Sequence, residues 1–171
     1  RAGIRRAKAE GLVDPIGVTR KGKPDLIHEA RDRVEDAETV MFPLNPVVAG
    51  KSGEQYDYEG VLDRAAEEGV GTLGIKAFAK GPWPPADELA PADRPYATWY
   101  EPVGKPAAVQ ERFGFAAAQG LTSVVTPGDP ALVAMVLDAA ERYDGMDEAT
   151  QRSLVDRHGD EESPVPQQLH H

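Results

Sequence analysis

Four times along this 171-residue chain, a short apolar run ends in polar residues and leads into a segment of helical periodicity. The runs are Ile16-Gly17-Val18-Thr19-Arg20, Thr39 to Pro46, Thr72 to Trp83, and Leu121 to Gly128. Glycine and proline punctuate them, and none is long enough for a free-standing helix, so each reads as a buried strand. Buried strands alternating with amphipathic helices give right-handed crossovers and a parallel sheet covered by helices. Two architectures satisfy that pattern, an open doubly wound sheet and a (β/α) barrel. No Gly-x-Gly-x-x-Gly follows any run, which weakens the first. A complete barrel needs eight units and about 250 residues. Four units amount to half of one.

The intervening segments carry their own start and stop signals. Residues 1 to 11 place Ile4, Ala7 and Leu12 at helical spacing, with Arg1, Arg5, Arg6 and Lys8 as a solvated face and Gly11 at the C-cap. Pro24 opens a helix with Leu26, Ile27, Ala30 and Val34 on one side, and His28 falls off that stripe toward solvent. A third helix spans Tyr58 to Glu68, with Asp57 as N-cap and Val61, Leu62, Ala65 and Ala66 as its stripe. Pro106 to Gln119 carries Val109, Phe113, Ala116 and Ala117. Asp129 and Pro130 open a helix with Leu132, Val133, Val136, Leu137 and Ala140, and a short helix spans Met146 to Arg157. Residues 159–171 read as a polar tail without regular structure, its closing His170-His171 resembling an added tag rather than a metal site. Between Gly81 and Pro106 the period breaks into a stretch rich in proline, with Trp83, Tyr96, Trp99 and Tyr100. Disordered linkers seldom cluster aromatics, so an ordered lid or binding loop is expected over 81–106.

Charge and composition narrow the function. A net charge of −10 repels nucleic acid and anionic membrane surfaces. It suits a high-salt interior or an ordinary acidic cytoplasmic protein. With no cysteine, disulfides, thiolate metal sites and cysteine nucleophiles are excluded. No apolar run approaches the roughly 18 residues a membrane helix needs. The chain opens on Arg1 without methionine, in what reads as mid-helix, so a longer protein is expected.

In order and spacing, several stretches resemble the aldo/keto reductases. Glu10-Gly11-Leu12-Val13 through Ile16-Gly17-Val18-Thr19 looks like their entry into strand five. Phe42-Pro43-Leu44-Asn45 resembles strand six, and Gly74-Ile75-Lys76-Ala77-Phe78 resembles strand seven. Arg94 to Pro102 is similar to a loop of one branch of the family, and Phe113 to Gly128 to the region of helix seven and strand eight. The resemblance runs over residues 5 to 143. It implies an α/β fold, a parallel TIM-type (β/α)8 barrel of which residues 1–158 supply strands five to eight and a C-terminal helix. It also implies transfer of hydride between NAD(P)H and a carbonyl. The family's catalytic tetrad belongs to the first four units, so no residue is assigned a catalytic role and this chain alone is expected to be inactive.

The second half of that barrel holds the cofactor, and the resemblance carries those roles over. Thr19 falls beside the nicotinamide amide, and Asn45 where an amide side chain bonds the same carboxamide. Lys76, Phe78 and Lys80 fall in the pyrophosphate loop. Thr126 and Gly128 lead into a helix N-terminus, where free N–H groups favour an anion. Asp129 stands where members selective for NADP have a cation. It therefore accepts from a ribose hydroxyl or simply caps its helix, and a preference for NADP is unsupported. Trp99 and Tyr100 are expected near substrate. Each residue also has a plainer role: Asn45 as a turn residue between prolines, the two lysines as solvated strand ends, Trp99 and Tyr100 as packing under the long loop. A half-barrel has two open edge strands, so the partner is either an N-terminal half-barrel or a second copy of the chain. A non-catalytic module of that kind is the rival to the enzyme.

Overall fold

A computed structural model describes residues 2–19, 24–34 and 36–165. Arg20 at the end of the first predicted strand and the closing histidines lie outside these residues. Helix α1 (Ala2–Ala9) leads past a cis Asp14–Pro15 bond into strand β1 (Gly17–Thr19). Helix α2 (Pro24–Arg33), strand β2 (Thr39–Pro43), a four-residue helix α3 (Pro46–Ala49), helix α4 (Tyr58–Glu68) and strand β3 (Gly71–Ile75) follow. Next come β4 (Ala79–Gly81) and β5 (Glu101–Pro102), then helix α5 (Pro106–Ala118), strand β6 (Ser123–Val124), and helices α6 (Pro130–Glu141) and α7 (Glu148–His158).

The sheet order is β1-β2-β3-β6, all parallel, so the four strands neighbour one another in chain order. A doubly wound sheet reverses its order at a switch point, whereas a barrel wall does not. The order is that of a stretch of barrel wall, and the described strands do not close on themselves. Alternation along the strands divides the two faces. Val40 and Phe42 of β2 are buried against Ile27 of α2 and Val61 and Ala65 of α4. On β3, Gly74 sits so close to Leu121 that an added Cβ would lie 2.5 Å from its Cδ1. Thr72 and Thr122 bridge β3 and the approach to β6, each backbone N–H donating to the other's hydroxyl oxygen.

The opposite face is much barer. Thr19, Met41, Leu73 and Ser123 are aligned in one row across all four strands, and each is exposed or half-buried. A closed barrel fills this side with bulky side chains in layers. Here the row faces open space.

Several expectations need correction. The second run passes at Pro46 into the four-residue helix α3, which no feature of the sequence had indicated. Strand β6 is two residues long. The stripe predicted on α6 is displaced, because Leu132, Val136 and Ala139 are buried while Leu137 and Ala140 are exposed. On α5 the buried set includes Arg112 and Phe115, since that helix packs on both α6 and α7. His28 is half-buried, its Nδ1 3.4 Å from an Arg64 nitrogen. The long aromatic loop is ordered, held at its base by antiparallel pairing of β4 with β5. Residues 159–165, expected to start a polar tail, pack against the body, with Pro164 and Val165 buried.

Candidate functional site at the carboxyl rim of the sheet

Parallel strands bring all their C-terminal ends to one edge, so Thr19, Asn45, Lys76 and Thr126 emerge along a common rim. Thr19 closes β1 and is exposed. Asn45 is fully buried and caps α3: its Oδ1 accepts from the Val48 N–H at 2.9 Å. Its Nδ2 donates to the Lys76 carbonyl at 2.8 Å. That second bond holds an unusual residue in place. Lys76 adopts a left-handed backbone with φ 57°, which costs a non-glycine residue roughly 1–2 kcal/mol. The plainer role of Asn45 as a turn residue is therefore occupied, and its amide acts on the rim through Lys76.

The lysines take separate partners. Lys76 Nζ donates to the Pro164 carbonyl at 2.7 Å. Lys51, which no sequence motif singled out, donates in the same way to the Glu161 carbonyl at 2.6 Å. Lys80 is exposed and pairs with Glu101 of β5 at 2.7 Å. The Phe78 ring is buried in a second core with Val103, Val109 and Val136, so only the backbone of that residue is available to the loop. Its carbonyl accepts from the Val103 N–H.

At the end of β6, Thr126 and Gly128 are exposed, and a Cβ added at Gly128 would meet nothing within 4 Å. Asp129 uses both carboxylate oxygens on backbone. Oδ1 accepts from the Ala131 N–H at 2.9 Å, capping α6, and Oδ2 accepts from the Ala97 N–H at 3.0 Å. The Ala97 bond, then the N–H groups of α6, hold its carboxyl below the usual aspartate range. Asp129 thus ties the helix start to the aromatic loop.

Inside that loop, the Trp83 indole donates to the Thr98 carbonyl at 2.8 Å, and the Arg94 guanidinium lies 5.3 Å from the centroid of the Trp83 ring. The Thr98 hydroxyl donates to the Tyr100 carbonyl at 2.6 Å. Tyr100 is half-buried, and burial raises its phenol. Trp99 is 96% exposed, so it does not pack under the loop as the plainer reading had it; Trp83 takes that part.

Sequence reasoning also missed Arg112, which is 2% exposed and 3.6 Å from a Glu161 oxygen. Burial holds the guanidinium below its usual range, with Glu161 opposing that shift. A cleft between α2 and α4 is lined by Arg31, Asp32, Arg64 and Glu68, whose charges are paired with one another, and it offers no recognition chemistry. Among the described residues no cluster of three or more His, Asp or Glu could hold a metal, and no helix is long and apolar enough to cross a membrane.

No family model matches the chain. No curated protein matches it either. Solved structures do. An aldo/keto reductase from Brucella melitensis aligns with a TM-score of 0.53 at 12% identity, over 91% of this chain and 52% of its own. The holo form of an aldo-keto reductase from Bacillus halodurans gives 0.57 at 14% identity, over 99% of this chain and 56% of its own. Its apo form gives 0.55 at 14% identity, over 98% and 59%. The chain spans a little over half the length of these structures, and over that length it has the fold of the aldo-keto reductases.

Proposed function

We propose that this chain supplies the cofactor-holding half of an aldo/keto reductase-like oxidoreductase, which in its complete form interconverts a carbonyl and an alcohol with NAD(P)H. The observation that carries this reading is the convergence of Thr19, Lys76 and the α6 N-terminus on one rim, with Asn45 fixing the conformation of Lys76. The fit to a nicotinamide dinucleotide is chemical. Lys76 offers a cation for a diphosphate. The space at Gly128 is open beside the start of α6, where the Ala131, Leu132 and Val133 N–H groups already bond Asp129, so the cation of Lys76 carries the attraction for the diphosphate. Thr19 is assigned to the carboxamide by its place at the end of β1, and Asn45, fully buried with both amide ends bonded, acts on the rim through Lys76. Phe78 and Lys80 support the same loop, by core packing and by pairing with Glu101. Trp99 and Tyr100 belong to the loop proposed to meet substrate, anchored to the rim through Asp129. A bound nicotinamide supplies the hydride. The residues of this chain bind and orient it, and the proton donor is assigned to the first four units of the barrel. A cytoplasmic setting accords with the acidic composition.

The bare row Thr19, Met41, Leu73 and Ser123 favours one alternative, a non-catalytic half-barrel completed by a second chain. Fluorescence titration with NADH and NADPH separates the two. The cofactor half binds at least one of them, and Lys76→Ala weakens that binding by tenfold or more, the scale of one lost charge-assisted contact. Absence of binding by protein whose folding is verified by circular dichroism leaves only the half-barrel module.

A further inference from the structure

We propose that residues 159–165 form a strap seated in the diphosphate subsite, held by Lys51 and Lys76, which a nucleotide must displace in order to bind. This rests on the cofactor reading of the rim and adds its regulation. After α7 the chain turns at Gly159, whose backbone touches that of Gly50: a Cβ on Gly50 would lie 2.4 Å from the Gly159 Cα. It then crosses the rim. The Lys51 ammonium donates to the Glu161 carbonyl, the Lys76 ammonium to the Pro164 carbonyl, and Val165 enters the core beside Phe42, Leu44 and Tyr58. Two cations from two rim loops therefore hold two carbonyl oxygens three residues apart on one strap.

Neutral carbonyls are the weaker acceptors for an ammonium. The ammonium–carbonyl bonds are already charge-assisted, but an anionic oxygen adds a full opposite charge, so a diphosphate outcompetes the strap for the same donors. Beside the lysines, Glu161 Oε1 lies 2.7 Å from His158 Nδ1 at the end of α7, and the contact with Arg112 is loose. Arg112 and Glu161 stand 3.6 Å apart, beyond hydrogen-bond range, and Arg112 Nη1 and Glu161 Oε2 are buried with no hydrogen-bond partner. An under-satisfied clasp costs little to open. The Gly50–Gly159 contact and the buried Val165 side chain complete the seating.

Hydrogen exchange on the full chain tests this. Saturation with NADH should accelerate exchange across residues 159–165, as should ADP-ribose, which carries the diphosphate without the nicotinamide. Gly159→Val, which forces the strap away from Gly50, should tighten NADH binding by about tenfold, because an occluding state no longer reduces the competent fraction. Val165→Ala, a milder change, should tighten it in the same direction. Slowed or unchanged exchange at 159–165 under saturating NADH overturns the proposal, and so does an unaltered Kd in both variants. In those cases the cofactor reading stands, since NADH still binds. If neither the parent nor the variants bind nucleotide, the cofactor reading fails and the strap proposal falls with it.

Discussion

Asn45 illustrates how one side chain sets the geometry of a rim. Its two amide ends reach a helix start and a strand end at once, through Val48 and Lys76. Loss of an N-cap alone costs about 1 kcal/mol, and the Lys76 carbonyl would lose one of its two donors, keeping only the Ala79 N–H at 3.0 Å. Asn45→Ala should therefore lower unfolding stability by about 2 kcal/mol. Urea denaturation measures this, and a loss below about 0.5 kcal/mol would show that the two bonds contribute almost nothing. Arg112 makes the opposite kind of prediction. A desolvated guanidinium beside one loosely placed carboxylate is a poor stabiliser, and apolar replacement of such groups is often neutral or better. Arg112→Met should change stability by less than about 1 kcal/mol, because the Arg112 contact is loose and the other Glu161 oxygen keeps its contact with His158 at 2.7 Å. Glu161→Ala instead strands a buried cation. It should cost about 1–2 kcal/mol, less than the full penalty of a deeply buried pair. A larger cost for Arg112→Met than for Glu161→Ala would reverse this assignment of the burden.

At the scale of elements, the capping carboxylates couple helices to acidity. Asp129 begins α6 and tethers the aromatic loop, and its carboxyl is depressed chiefly by the Ala97 N–H. A depressed folded-state value means that stability is present above the unfolded value and is lost as pH falls through the folded one. Asp147 at the start of α7, depressed chiefly by the Thr150 N–H, acts in the same sense. The thermal midpoint should thus drop as pH falls below about 4. Asp129→Asn, whose single oxygen cannot accept from both Ala97 and Ala131, should be less stable at neutral pH and approach the parent in acid. Parallel curves would rule out the tether. These caps were legible in sequence because Asp57, Asp129 and Pro130 sit directly before apolar periodicity. The strands were legible for the same local reason. What escaped was non-local. Arg112 reads as a polar break in the stripe of α5, and it is buried because that helix packs on both α6 and α7, with Glu161 beside it. The β4–β5 pairing joins residues some twenty positions apart, through two- and three-residue strands too short to show a period. Lys51 and the strap carried no motif, since a lysine bonding a carbonyl over a hundred positions away leaves no trace in local spacing.

Over the whole molecule, the faces left uncovered say what the chain needs. The row Thr19, Met41, Leu73 and Ser123 is exposed or half-buried, among the described residues strands β1 and β6 pair on one side only, and Leu12 and Leu137 are exposed at 72% and 57%. In a closed barrel the interior row is filled by side chains from the strands opposite and no edge remains. The opposing term is charge. A net −10 disfavours self-association through repulsion, and salt screens that repulsion within about 10 Å at 0.1 M. These 171 residues alone should therefore associate more strongly as salt rises, the reverse of a contact held by ion pairs. Sedimentation velocity across a salt series checks this. Met41→Lys and Leu73→Lys, which place charge on the bare row without touching the helix-covered core, should return the chain to monomer at all salt concentrations. A parent that stays monomeric at high salt and tens of micromolar would mean that the row is not an association surface, and the half-barrel alternative would lose its supporting observation.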